Sequence, residues 1–190
     1  LILVAYYGTE AYAAYGIGVQ ILSFSFVIGF GFSIAGATLV GQHLGAKNTD
    51  QAKRAGWGAM RLSIISMTFF GIIITIFAEP LARFMIDNDE VVRLTVIFIW
   101  LLGSMQPLMA IEFSLGGALR GAGDTKTPLA ITLTCLLFIR VFLAVIFFLL
   151  DARIEVIFST LVADYVVKGF LYVARFKSDK WMSALKSKEA

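Results

Sequence analysis

The chain is poor in the residues on which most site chemistry depends: 190 residues include one cysteine, one histidine and three prolines, and only 15% are charged. With Cys135 alone, an internal disulfide is excluded, and its place inside an apolar run marks an inert core thiol. His43 closes the first apolar stretch and reads as a solvated loop side chain rather than a metal ligand. No nucleophile, general base and orienting group occur together and no His or Cys spacing suggests a metal centre, so enzymatic activity finds no support. What is abundant is apolar: 59% of residues are hydrophobic and the mean hydropathy is +0.85. So little polar surface cannot cover a water-soluble globule of this size, which makes the expected class an integral membrane protein. The net charge of +3 is small and clustered in loops, so it bears on orientation and not on nucleic acid.

Leu1 to Tyr7 look like the apolar core of a signal peptide, but neither a basic stretch nor a Met precedes them, and they are read as the end of a truncated membrane helix. The apolar segments that follow suit an all-α, polytopic bundle, since roughly 20 helical residues span the hydrocarbon core. Spans are predicted near Tyr12 to Gln42, Trp57 to Ala78, Leu94 to Leu119, Leu129 to Leu150 and Val156 to Ala174. The first exceeds a perpendicular crossing and should tilt or project. Along it Ser25, Gly29, Ser33, Ala37 and Gly41 recur every fourth residue, a row that would let another helix approach closely.

Positive charge sorts by side. Lys47, Lys53, Arg54, Arg61, Arg120, Lys126, Lys168, Arg175, Lys177, Lys180, Lys186 and Lys188 fall at one end of the alternating spans, and Arg83, Arg93 and Arg153 at the other. The excess predicts that the first end and the C-terminus are cytosolic. The opposite loops carry Glu79, Asp87, Asp89, Glu90, Asp151 and Glu155. Residues 1–176 form the membrane part, a stub helix plus five spans, and 177–190 a basic tail that either touches lipid headgroups through Trp181 and Met182 or is a plain solvated end.

Between the third and fourth spans runs LRGAGDTKTP, Leu119 to Pro128. Gly121 is expected to end the incoming helix in a left-handed cap, and Thr127 before Pro128 to start the outgoing one. Its glycines are no phosphate loop, for no strand precedes them and no Gly-Lys-Ser pattern follows.

The run LGGALRGAGDTKTP resembles the equivalent junction of the multidrug and toxic compound extrusion family. YGTEAYAAYGIGVQI, GQHLGAKNTDQAKRAG, FIRVFLAVIF and RFKSDKW are similar to that family's neighbouring loops, helices and C-terminal end. The resemblance covers nearly all of residues 8 to 181. It implies twelve spans in two six-helix lobes, this chain being the second lobe with its first helix truncated and the first lobe its missing partner. It further implies a bacterial or archaeal plasma-membrane exporter, working by alternating access, in which an H+ or Na+ coupling ion drives small organic cations outward. No other cofactor is expected.

Polar groups at membrane depth are costly and persist where they have a partner or a task. Counted from the hairpin, Glu112 lies roughly 12 Å in and Arg140 roughly 18 Å in on the next helix, depths that allow an ion pair. Asp164 falls at a similar level with Lys168 one turn on as an i,i+4 partner. Glu112 either fixes helix register with Arg140 or binds a proton, coupling cation or cationic substrate. Met105 and Met109 precede it on the same face, Gln106 lies near them, and Pro107 should kink this helix. The methionines are either a surface for lipophilic cations or ordinary gap-filling. Gln20 is a further candidate, which either faces the cavity or bonds across helices. Some sodium-coupled members of the family carry an aspartate where this chain has Met109, so the resemblance leaves the coupling ion open. Two rival classes share the topology: a lipid-linked oligosaccharide flippase, which should carry more charge within its spans, and a non-transporting scaffold, in which Glu112 would have no transport role.

Overall fold

The computed structural model describes residues 8–150 and 154–183, the latter with backbone alone at 154, 155, 157–159 and 183. It is an all-α membrane helix bundle, with no strand among the described residues. The helices are α1 (Thr9–Gly45), α2 (Thr49–Ile76), α3 (Ala78–Met85), α4 (Asp89–Ser104), α5 (Gln106–Gly121), α6 (Lys126–Thr134), α7 (Phe142–Leu149) and α8 (Ile154–Lys177). A π-helical segment, Cys135–Val141, joins α6 to α7, and a 3₁₀ turn, Lys180–Ser183, follows α8. Among the described residues three helices are long and apolar enough to cross a membrane, Thr9–Gly45, Thr49–Ile76 and Lys126–Leu149, or four if α4 and α5 count as one bent span. The fifth expected span coincides with α8. Leu1 to Tyr7, Asp151, Arg153 and the end of the tail lie outside the described residues.

Local chemistry explains the element boundaries. Gly8 enters α1 at φ 106°, a conformation in which a side chain would be strained. Asn48 caps α2 by accepting from the Gln51 amide at 3.1 Å, and Asn88 caps α4 by accepting from Glu90 and Val91. α1 has 37 residues and is roughly 55 Å long, well beyond the hydrocarbon thickness, as its sequence requires.

The small-residue row of α1 is the main seam of the bundle. Gly117 and Gly121 of α5 lie directly against the backbone of Ser33 and Ala37, so a methyl group at either would overlap that backbone. A methyl at Gly29 would come within 2.5 Å of the Phe113 ring. Helices α1 and α5 therefore meet almost backbone to backbone, fixing where α5 presents the rest of its surface.

The third expected span is broken. α4 and α5 meet at a 53° bend centred on Met105. Pro107 has no amide hydrogen to give the Gly103 carbonyl, and the chain restarts with Leu108 and Met109 amides bonded to the Met105 carbonyl. Met105 sits at the joint, so the continuous face expected for Met105, Met109 and Glu112 does not form. α3, which the hydropathy pattern hides between two spans, is a short amphipathic helix with Phe84 outward and Ala78 and Ala82 inward.

The hairpin also differs from expectation. α5 ends at Gly121, but the positive φ falls at Gly123 (84°), where the Asp124 amide returns to the Leu119 carbonyl at 3.0 Å. The start of α6 is held by Asp124 and not by Thr127: its Oδ1 accepts from the Thr127 hydroxyl at 2.7 Å and the Thr127 amide at 3.2 Å. Trp181, expected near headgroups, is fully buried: it stacks on Phe176 with centroids 4.7 Å apart and donates to the Phe176 carbonyl at 2.8 Å.

Candidate functional site

The bend and the glycine seam turn one face of α5 toward α8, and there the charges at mid-bundle meet. Glu112 of α5 and Asp164 and Lys168 of α8 form one cluster. Lys168 Nζ lies 2.9 Å from Asp164 Oδ2 and 3.6 Å from Glu112 Oε1. The side chain of Asp164 is wholly buried, that of Lys168 is 7% exposed and that of Glu112 is 21% exposed. The i,i+4 spacing of Asp164 and Lys168 puts them on one helix face, and the short approach of α8 to α5, with Gly169 against Leu108, brings Glu112 within reach. Lys168 also stands 5.4 Å from the centroid of the Tyr165 ring.

Two features set this cluster apart. It holds two carboxylates and one ammonium, so with all three ionised it carries one uncompensated negative charge. Moreover, both Asp164 oxygens lack a hydrogen-bond donor among the described residues, although Lys168 lies close. An ion contact without hydrogen-bond alignment leaves part of the cost of burying the carboxylate uncompensated.

Arg140 does not join the cluster. The pairing with Glu112 that depth allowed is replaced by Lys168, and Arg140 forms no ion pair within 4 Å among the described residues. It lies in the π-helical segment, whose i→i+5 winding rotates the following residues away from α-helical register, a shift that a count of residues along a regular helix does not capture.

Below the cluster, toward the hairpin, Tyr172 of α8 makes a neutral polar tie to α6. Its hydroxyl lies 3.2 Å from Thr132 Oγ1 and donates to the Pro128 carbonyl at 3.3 Å. Arg120 reaches back to Ser33 Oγ on α1 at 2.9 Å. Asp124 receives two bonds from Arg175, at 2.6 and 2.9 Å. Burial pushes the Asp124 carboxyl up, but the Thr127 hydroxyl, the Arg175 guanidinium and the Thr127 amide outweigh it and hold it below the ordinary carboxylate range.

The remaining sequence candidates are spread out. Met109 is fully buried with Met67 and Ala110, filling the core between α5 and α2. Met105 forms the bend. Gln106 is completely buried with neither amide atom partnered among the described residues, its side chain against Gly71. Gln20 lies elsewhere, on an apolar cavity of about 490 Å³ with Phe24, Phe70 and Phe84. The acidic loop is committed to its own helix starts: Arg93 bonds Glu90 at 2.6 and 2.9 Å, and Arg83 bridges Glu79 and Asp89. Among the described residues no group of three His, Cys, Asp or Glu could hold a metal.

Sequence reasoning paired Lys168 with Asp164 but missed it as the partner of Glu112. The signal was present in a lysine two turns inside an apolar helix, where an unpaired ammonium is costly. The roles of Asp124 and Arg175 had no comparable signal, because both residues look like solvated loop charges in sequence.

Comparison with known proteins gives this arrangement its context. The family model MatE matches residues 1–146. A probable multidrug resistance protein NorM from Thermotoga maritima is 35% identical over 183 residues, covering 92% of this chain and 38% of that relative. The same probable protein from Mannheimia succiniciproducens is 31% identical over 128 residues, covering 67% of this chain and 28% of its own length. The multidrug resistance protein NorM of Aliivibrio fischeri is 31% identical over 123 residues, 65% of this chain and 27% of its length. The chain thus spans less than two fifths of the relatives it matches. Over most of its length it carries the family's sequence on a membrane helix bundle, and it belongs to the MatE, or multidrug and toxic compound extrusion, family.

Proposed function

We propose that the protein carrying this chain is a secondary active exporter that moves lipophilic organic cations outward in exchange for H+ or Na+. In this reading the chain contributes the second of two lobes that rock around a central cavity in a cell membrane, with the hairpin end and the C-terminus cytosolic. The observation that carries it is the charge count at mid-bundle: Glu112 and Asp164 share the single ammonium of Lys168. Such a cluster is one positive charge short, and one monovalent cation completes it. Glu112, the most exposed of the three, is where that cation arrives. The Thermotoga, Mannheimia and Aliivibrio relatives, named for multidrug resistance, support the transport class.

The cycle follows from differential binding. A coupling ion drives a conformational exchange only by the difference in its affinity for the two states. Completing the cluster with a proton or Na+ removes the uncompensated charge, and an arriving organic cation competes for the same deficit. Lys168 keeps the two carboxylates together while neither is bound. The positive-charge asymmetry at the hairpin end, which stands without the buried mid-bundle Lys168, supports the sidedness.

Expression of the natural full-length protein in a drug-sensitive, efflux-deficient host tests the class. Protection against ethidium or fluoroquinolones, together with gradient-driven uptake into everted vesicles, is the expected result. No protection and no gradient-dependent uptake would remove the assignment.

A further inference from the structure

Helix α2 carries a second charged feature that the transport reading does not use. Its inward face, Ala52, Gly56, Ala59, Ser63, Met67, Gly71 and Ile74, is buried against the bundle, which fixes the opposite face outward. Along that outward face one stripe runs the length of the helix: Arg54, Gly58, Arg61, Ile65, Phe69, Ile72 and Ile76, spaced by threes and fours. The last four are each more than half exposed. At the hairpin end the stripe opens into a groove of about 550 Å³ lined by Asp50, Lys53, Arg54, Trp57, Gly58 and Arg61.

The charges in this groove are unequally committed. Lys53 pairs with Asp179 beyond α8 at 2.7 Å. Arg54 and Arg61 form no ion pair within 4 Å among the described residues, and the carboxylate of Asp50 engages neither. Two turns separate the guanidinium-bearing residues, about 10 Å along the axis. Trp57 stands between them in the chain, its ring fixed edge-on by Phe176 with centroids 5.2 Å apart, an amphipathic indole within the charged part of the groove.

We infer that this face holds an anionic phospholipid, its phosphate between Arg54 and Arg61 and its acyl chain along Ile65, Phe69, Ile72 and Ile76. The shape of the surface favours this occupant. A free phosphate would use the two arginines alone and leave about 16 Å of exposed apolar stripe, from Ile65 to Ile76, to unrelated bulk lipid. A lipid matches both parts at once, cationic groove to phosphate and stripe to hydrocarbon. The inference requires only that α2 cross the bilayer, and it stands independently of the role of Glu112.

Native mass spectrometry of the natural full-length protein, released from detergent containing equal phosphatidylglycerol and phosphatidylcholine, reads this directly. Phosphatidylglycerol is expected to be retained in preference to phosphatidylcholine. Arg54→Gln and Arg61→Gln should each lower its retention about fivefold, and the double variant about 25-fold, if the two arginines act independently near the surface. Both side chains are exposed and form no ion pair among the described residues, so neither replacement threatens folding. Gly58→Leu supplies a charge-neutral variant: a Cβ there meets nothing within 4 Å, so a side chain has room to start into the groove, and retention should fall with the melting curve unchanged. Equal retention of the two lipids, or phosphatidylglycerol retention unaffected by these replacements, would overturn the inference. So would full displacement by millimolar inorganic phosphate, which would mark a free-anion site, or a photocrosslink from position 58 that reaches protein instead of lipid.

Discussion

Two sets of acidic and basic side chains, about three turns of α8 apart, use the same chemistry to different ends. At the hairpin end Asp124 is served by Thr127 twice and by Arg175 twice, and its two oxygens are fully engaged. At mid-bundle Asp164 is more deeply buried, yet it has a close ammonium and no aligned donor. A satisfied pair resists change, whereas an underserved carboxylate in a cluster short of positive charge is suited to take up and release a cation. The difference separates a structural tie from a site that can do work.

The sharpest way to break the comparison is to remove Lys168. Lys168→Met leaves the buried Asp164 and the part-buried Glu112 without their shared counter-ion and is expected to cost about 3–5 kcal/mol, read as a loss of thermal stability in detergent. Adding Asp164→Asn to that variant should recover much of the loss, and a double-mutant cycle on Glu112 and Lys168 should show coupling where one on Glu112 and Arg140 shows none. A cycle with the opposite pattern would return the pairing to Arg140.

Next in size is the hairpin tie. Asp124→Ala removes the cap of α6 and the partner of Arg175 together and should cost about 2 kcal/mol. The same residue sets an acid limit. Because its folded-state pKa is depressed, its contribution is complete above the unfolded value of about 3.9 and disappears as pH falls through the lower folded value. Melting below about pH 4 should therefore steepen in the parent and flatten in Asp124→Asn.

Smaller effects belong to exposed pairs. Lys53→Gln breaks a contact whose partners are 37% and 44% exposed, and a loss under about 1 kcal/mol is expected by chemical denaturation. At the far end Arg83→Gln should be close to neutral, despite its 2.9 Å contact with Asp89, because both groups are solvated and salt screens them. A large loss there would show that geometry alone, without burial, decides which pairs matter.

How far these regions could be read from sequence follows from physical range. The spans were legible because hydropathy acts over 20 residues, and the α1 seam because small residues at every fourth position act on a single face. The bend was legible through the missing amide of Pro107, though its centre lies two residues earlier, at Met105. The pairing of Arg140 with Glu112 rested on a residue count that assumes unbroken α-helical register, and the π-helical segment that carries Arg140 departs from that register. The Trp181 burial and the Arg175 to Asp124 pairing depend on how α8 returns to the hairpin, which no local pattern encodes. Glu112 was singled out by its depth, whereas its actual partner required the packing of α8 on α5.

The most direct measurement of the central claim is gradient-driven ethidium transport by the natural full-length protein in liposomes, comparing parent with Glu112→Gln under imposed H+ and Na+ gradients separately. The mid-bundle cluster as the coupling site predicts that the parent responds to one of the two gradients. The variant should lose that response by at least tenfold and bind ethidium more weakly, while the melting temperature is retained. Undiminished gradient-driven transport in Glu112→Gln would contradict the claim and leave Glu112, Asp164 and Lys168 as a structural cluster.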